Sequence, residues 1–179
     1  HALNINKKKY YKEIKNLRRN NPFEVHCVDD LKKYINYSKK RIPKNLRNMA
    51  FFHYSKVEMS TFNGKICTNY KKLPLINPDL IYLDGPDQFN VKNKINGITT
   101  NHKDMMPMSA DILKIEHFLT PGTIIITDGR GANARFLLSN LQRKWKYKYD
   151  NKNDQSIFFL NEKPLGIFNL RQLKFYSKR

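Results

Sequence analysis

Five residues, Thr123-Ile124-Ile125-Ile126-Thr127, stand between Pro121-Gly122 and Asp128-Gly129, two pairs of chain breakers. The run is too short for a buried helix. Its apolar residues do not alternate with polar ones, so both faces of the predicted strand must be covered, which is the habit of parallel sheets with helices packed on them. The neighbouring segments suit that demand. A helix is predicted over 6–20, where Tyr10, Ile14 and Leu17 recur at helical spacing, and Asn20-Asn21-Pro22 stops it. A strand follows over 23–28 and ends at Asp29-Asp30, then a helical stripe of Leu31, Tyr34, Ile35, Ser38 and Ile42, closed by Pro43. Strands are predicted over 49–54 and 78–83, with 57–75 ambiguous except for an Asn63-Gly64 turn. Ser109 suits the N-cap of a helix carrying Ile112, Leu113, Ile115, Glu116 and Leu119, and a further helix carries Phe136, Leu137, Leu138 and Leu141. Two last strands, 145–149 and 156–160, flank a turn-rich stretch and form an antiparallel hairpin.

Strands alternating with helices predict an α/β fold with one mostly parallel sheet, an antiparallel C-terminal hairpin strand and helices on both faces. At 179 residues the chain fits one domain, with a core at about 7–160 and an irregular tail over 161–179 that shows no periodicity. The polar stretch 89–107 is too long for a mere connector and reads as a lid or substrate loop. No run reaches the ~20 apolar residues of a membrane span, and no apolar block follows Lys7-Lys8-Lys9 as in a secretory signal. Cys27 and Cys67 make neither a disulfide scaffold nor a metal motif. A cytoplasmic globular protein is expected, with no membrane partner.

The net charge is +19, from 34 Lys and Arg against 15 Asp and Glu. A polyanionic partner such as nucleic acid is one cause, since clustered cations release counterions from phosphates. Compositional drift is the other. Only nine of the 34 cations are Arg, and Lys, Asn and Ile fill roughly a third of the chain, well above ordinary usage. The lysines are scattered, some alternating along a strand as Lys144, Lys146 and Lys148.

In an open α/β sheet, ligands bind beyond the carboxyl ends of the strands. Four predicted strands end in polar groups: Asp29-Asp30, His53-Tyr54-Ser55, Asp84-Gly85-Pro86-Asp87 and Asp128-Gly129-Arg130. Like carboxylates on one edge repel unless a ligand, cation or donor compensates them, so the acids point to a shared site. Asp29, with Asp30, suits the two hydroxyls of a ribose, or else caps the following helix. Asp84 and Asp128 could converge on a divalent cation such as Mg²⁺, which takes one or two carboxylates with water and substrate oxygens. Asp87 is a candidate general base or a turn residue. Gly129 and Gly131 leave a helix start open to an anion, Arg130 could clamp a carboxylate or phosphate, and His102 with Asp104 are candidate substrate contacts. Met105, Met106 and Met108 could line an adaptable pocket or pack in the core.

These segments resemble the class I S-adenosylmethionine-dependent methyltransferases. Val25-His26-Cys27-Val28-Asp29 is similar to that family's second strand with its acidic end, Pro78-Asp79-Leu80-Ile81-Tyr82-Leu83-Asp84-Gly85-Pro86 to its fourth, and Leu119-Thr120-Pro121-Gly122 with the strand ending at Asp128 to its fifth. The closing hairpin resembles its antiparallel last strand, so the likeness covers about 7–160. It implies a Rossmann-like fold binding S-adenosylmethionine through Asp29, Asp30, Tyr54, Ser55 and Asp84. His53-Tyr54-Ser55 would lie near adenine, Asp84 and Asp87 would be catalytic, and His102 and Arg130 would meet substrate. The family's glycine-rich loop has no counterpart, because no glycine precedes Gly64. The resemblance therefore implies an N-terminally truncated fragment lacking the first strand and its loop. Asp84 and Asp128 also resemble the metal ligands of cation-dependent O-methyltransferases, although Gly129 replaces an Asn and Asp87 a Lys of that pattern. The expected activity is methyl transfer to an oxygen or nitrogen of a small molecule or sugar. RNA methylation and a non-enzymatic module are the alternatives.

Overall fold

The computed structural model describes residues 24–177, so the predicted helix over 6–20 lies outside the described residues. Strand β1 (Val25–Asp29) runs into helix α1 (Lys32–Arg41), a 3-10 segment (Lys44–Met49) and strand β2 (Ala50–Tyr54). The two strands are parallel, with Asp29 level with Tyr54. Of the α1 stripe, Ile35 is the residue that becomes buried.

The ambiguous stretch folds as a hairpin of β3 (Val57–Phe62) and β4 (Lys65–Tyr70). Asn63 and Gly64 both take positive φ, 48° and 75°, the backbone that a two-residue turn between twisted strands demands. The inward residues of β3, Val57 and Met59, are buried with Val91. Strand β5 (Leu80–Leu83), helix α2 (Asp111–Ile115), strand β6 (Ile124–Asp128), helix α3 (Gly131–Leu138) and strands β7 (Trp145–Asp150) and β8 (Gln155–Leu160) follow. Their sheet has the order β5-β6-β8-β7, parallel between β5 and β6 and antiparallel elsewhere. Ile125, Phe158, Leu160, Leu137 and Leu119 form its dry core.

Three expectations need correction. The single, mostly parallel sheet is three small sheets, because no strand among the described residues pairs with the second edge of β1 or of β5. Val25, Leu80 and Tyr82 on those strands are accordingly more than half exposed. The protein is therefore mixed α/β. Ser109 is not an N-cap: Ala110 holds that position, and the helix gives way after Ile115 to a 3-10 turn, Glu116–Phe118. The tail is not irregular, since Ile167–Tyr176 is helix α4. Its Asn169 side chain donates to Pro121 O and accepts from Leu165 N, and Gln172 bonds Asp79. Leu173 leans so closely on Gly122 that a Cβ there would collide with it, and Gly122 has φ +95° besides. Helix α4 is thus tied to the entry of β6, opposite the strand ends where the acids lie.

Segment 89–107 is not a free lid. Val91 and Thr100 are buried, and the Asn93 amide pairs with both backbone groups of Met59, accepting at 2.6 Å and donating at 3.1 Å. Asn96-Gly97 makes a second tight turn between the bridged residues Ile95 and Ile98. Among the described residues no helix is long and apolar enough to cross a membrane.

Candidate functional site

Parallel pairing places the ends of β1 and β2 at one level, and the ends of β5 and β6 at another, with Leu83 beside Thr127 and hence Asp84 beside Asp128. Tyr70, closing β4, connects the two pairs. Its hydroxyl sits 3.1 Å from the position a Cβ on Gly85 would occupy, so Gly85 makes room for it. Burial pushes the Tyr70 phenol well above its ordinary range, and the charges of Asp30, Asp29 and Asp111 push it further while Arg130 opposes them. The phenol is therefore neutral and feels both the β1 acids and the β5 side.

The acids then fall into a series. Arg130 holds its Nε 3.6 Å from Asp84 Oδ1 and donates from Nη1 to Pro86 O at 3.4 Å. Tyr82, in the middle of β5, hydrogen-bonds Asp128, which raises the Tyr82 phenol, with the Asp84 charge adding to the effect. Asn133, with no exposed surface, fixes the rim from behind: it donates to Gly85 O at 3.1 Å and accepts from Ser109 N at 2.9 Å. Gly129, at φ +43°, donates to Asp154 O, so the hairpin turn holds the loop after β6 in place.

The individual candidates divide. Asp29 spends one oxygen on Leu31 N at 2.7 Å, which shapes the turn into α1 without capping the helix, and its carbonyl accepts from Ser55 N. Asp30 is the open group: its Oδ2 is buried with no hydrogen-bond partner among the described residues. Burial raises its carboxyl first, then the Asp29 and Asp87 charges, against the pull of Lys92. Tyr54 is half exposed beside Asp30, whereas Ser55 is buried and accepts from Lys72 N at 2.8 Å, so its hydroxyl holds the β2–β3 corner rather than facing a ligand. His53 turns to His26, the two rings stacked with Nε2 and Nδ1 3.0 Å apart, and burial together with His26 lowers its basicity.

Asp87 takes the turn role that the sequence also allowed: one oxygen accepts from Phe89 N and the other from the Asn90 amide, capping a 3-10 turn over Gln88–Asn90. His102 and Asp104 pair with each other on the surface at 3.6 Å, and neither joins the rim. Met108 packs against the main core while Met106 is exposed, so the methionines do not form a pocket.

The metal expectation finds poor support in the donor set. Among the described residues no group of three or more His, Cys, Asp and Glu is placed to hold an ion. Asp84 already faces a guanidinium, a cation that competes with a metal for the same oxygens.

No family model, no curated protein and no solved structure matches this chain.

Tyr70, Tyr82 and Asn133 escaped the sequence reading. The first two are strand residues whose hydroxyls reach the rim, and Asn133 lies inside a helix. The Gly-Ala-Asn-Ala stretch after Arg130 carried the one available signal, a polar residue within an otherwise apolar helical face.

Proposed function

We propose that this protein is the Rossmann-like core of an S-adenosylmethionine-dependent methyltransferase acting on an oxygen or nitrogen nucleophile of a small molecule or sugar. The single observation that carries the reading is the linked series of acids at the ends of parallel strands, from Asp29 and Asp30 through Tyr70 and Arg130 to Asp84 and Asp128. The strand orders support it. A doubly wound sheet runs 3-2-1-4-5 before its last strands. With β1 and β2 as its second and third strands and β5 and β6 as its fourth and fifth, the first strand belongs between β1 and β5.

In this reading the Asp30 carboxylate accepts from the ribose hydroxyls of the methyl donor, and Tyr54 covers the adenine. Methyl transfer is an in-line displacement: the methyl carbon leaves the sulfonium as the substrate lone pair bonds it, and the protein chiefly positions the two. Arg130 and Asp84 lie where the acceptor would sit. Asp84 is mostly exposed and takes the proton that the nucleophile loses, its approach directed by Arg130.

Titration calorimetry of the full-length protein tests the donor site. Asp30→Ala is expected to weaken S-adenosylmethionine binding at least about tenfold, the value of a lost charge-assisted hydrogen bond. Asp87→Ala is expected to leave it unchanged. Equal affinity for the wild type and Asp30→Ala removes Asp30 from the site, and no heat from the wild type removes the reading.

An RNA methyltransferase is the second reading, favoured by the net charge of +19. It requires the logarithm of RNA affinity to fall steeply with the logarithm of salt concentration, with a slope near −0.7 per phosphate contacted for a single strand. A flat response in filter binding ends it.

A further inference from the structure

A cleft of about 240 Å³ opens beside the end of β1, walled by Asp30, Lys32, Tyr54, Lys56, Asn90 and Lys92. Its chemistry is two-sided. At its wall lies the Asp30 carboxylate, whose buried Oδ2 finds no donor among the described residues. A buried acceptor left unpaired is costly, so this oxygen calls for hydroxyl or amine hydrogens from outside.

Around the mouth of the same cleft stand three cations. Lys32, Lys56 and Lys92 are exposed, on three different segments that the fold brings together. Helix α1 begins here with no side-chain cap and no acid in its first turn, so the positive end of its dipole is added to Lys32 and Lys33, where cations are unfavourable. Asp30, with Asp29 and Asp87 close enough for their charges to raise its carboxyl, faces three ammonium groups and a helix N-terminus. The acids lie at the strand end and the lysines at the mouth, so the cleft offers an acceptor on one side and cations on the other.

One class of ligand offers both, together with a flat ring for the third feature, the half-exposed Tyr54 over which Lys32 Nζ stands 5.0 Å from the ring centroid. We propose that this cleft binds a phosphorylated ribonucleoside. Asp30 accepts from the ribose 2′- and 3′-hydroxyls, the base lies against Tyr54 and Leu31, and the phosphate oxygens meet Lys56 and Lys92 near the start of α1. The cleft is below the ~300 Å³ of ordinary ligand pockets, so it holds a nucleoside-sized portion while the phosphates extend over the lysines at its mouth. The inference takes over from the proposed function the use of Asp30 and Tyr54 for a ribose and a base, so the two ligands compete for one cleft, and it adds phosphate recognition by Lys56 and Lys92, which a sulfonium donor does not need.

Titration calorimetry of the full-length protein at low salt tests it, using ADP, GDP, CDP and UDP, their parent nucleosides, and S-adenosylmethionine. The tightest diphosphate is expected to bind at least about tenfold better than its nucleoside, the value of one or two charge-assisted contacts. Lys56→Ala/Lys92→Ala is expected to bring the diphosphate down to the level of its nucleoside while leaving the nucleoside unchanged. The 2′,3′-dideoxy diphosphate is expected to bind wild type and Asp30→Asn equally weakly. Diphosphates no tighter than nucleosides, or lysine substitutions that weaken both alike, overturn the proposal. A 5′-phosphorylated oligoribonucleotide binding tighter than the free diphosphate identifies an RNA end as the source of the ligand; weaker binding identifies a free nucleotide. Diphosphate binding without S-adenosylmethionine binding keeps this site and removes the methyl donor, and the converse removes the phosphate site alone.

Discussion

Glu116→Ala is expected to lower the stability of the protein by about 3–5 kcal/mol, and its Tm by roughly 6–20 °C for a chain of this size. Glu116 is only 2% exposed, in the 3-10 turn that follows α2. Its Oε1 accepts from Gln142 N at 3.0 Å, from Arg143 N at 2.9 Å and from Trp145 Nε1 at 2.8 Å. Gln142 and Arg143 lie in the segment joining α3 to β7 and Trp145 opens β7, and among the described residues the three donors have no acceptor outside the Glu116 carboxylate. The same knot is drawn tighter by Arg143, which donates from Nη1 to the Glu116 carbonyl and pairs with Glu162, whose carboxyl that guanidinium holds below its usual range. Removing the carboxylate leaves three buried or half-buried N–H groups unsatisfied. Glu116→Gln keeps one carbonyl oxygen for the same donors and is expected to cost far less. Trp145 is the sole tryptophan, so its emission reports the knot directly: it should shift to the red in Glu116→Ala and not in Glu116→Gln. A melting temperature for Glu116→Ala within two degrees of wild type contradicts this account.

Asp111→Asn is expected to change how stability depends on pH. Asp111 opens α2 and is buried, accepting from Ser109 Oγ at 2.8 Å and from Tyr70 N at 3.1 Å. Burial raises its carboxyl from the ordinary 3.8 to about 6, with the Ser109 hydroxyl, the Tyr70 N–H and Lys114 pulling the other way. The folded protein thus holds this proton up to pH values where the unfolded chain has released it. The stabilisation that follows is fully present below about 3.8 and is lost as the pH rises through about 6. Between pH 4.5 and pH 7.5 the loss amounts to about 2 kcal/mol. Urea unfolding at these two pH values should show wild type losing that much relative to Asp111→Asn, whose amide keeps an acceptor for Tyr70 N without a charge to bury. Parallel pH profiles for the two proteins rule out Asp111 as the group responsible.

How much of this was legible in the sequence depended on the kind of residue doing the packing. Strands β1, β5 and β6 announced themselves because short apolar or β-branched runs stood between breakers, and Asn63-Gly64 marked the β3–β4 turn through its backbone demand alone. Helix α4 was invisible for a physical reason. Its inward contacts are made by the polar Asn169 and Gln172 together with Leu173, while Ile167 is more than half exposed and Phe168 just over a third, so the apolar pattern does not trace the buried face. Asn133, Asp111 and Glu116 fall under the same explanation, since each is a polar residue buried with partners 24 to 48 positions away. Local periodicity carries no information about such pairs. At the candidate site, the acids at the strand ends could be named from the chain, but not the division of labour among them. That Asp87 is consumed by a cap while Asp30 keeps an open oxygen follows from where segment 89–107 packs, and the sequence offered only its length.

The outer position of β7 gives part of the lysine excess a use unrelated to any ligand. Among the described residues no strand pairs with the outer edge of β7, and a bare strand edge is a template on which another molecule can extend the sheet. Lys146 and Lys148 stand on alternate, exposed positions of that strand, with Lys144 just before it. A second copy approaching edge to edge would bring its own row of ammonium groups against the first. Crowding in the cell, or concentration in the test tube, is thereby kept from turning this border into a site of self-assembly.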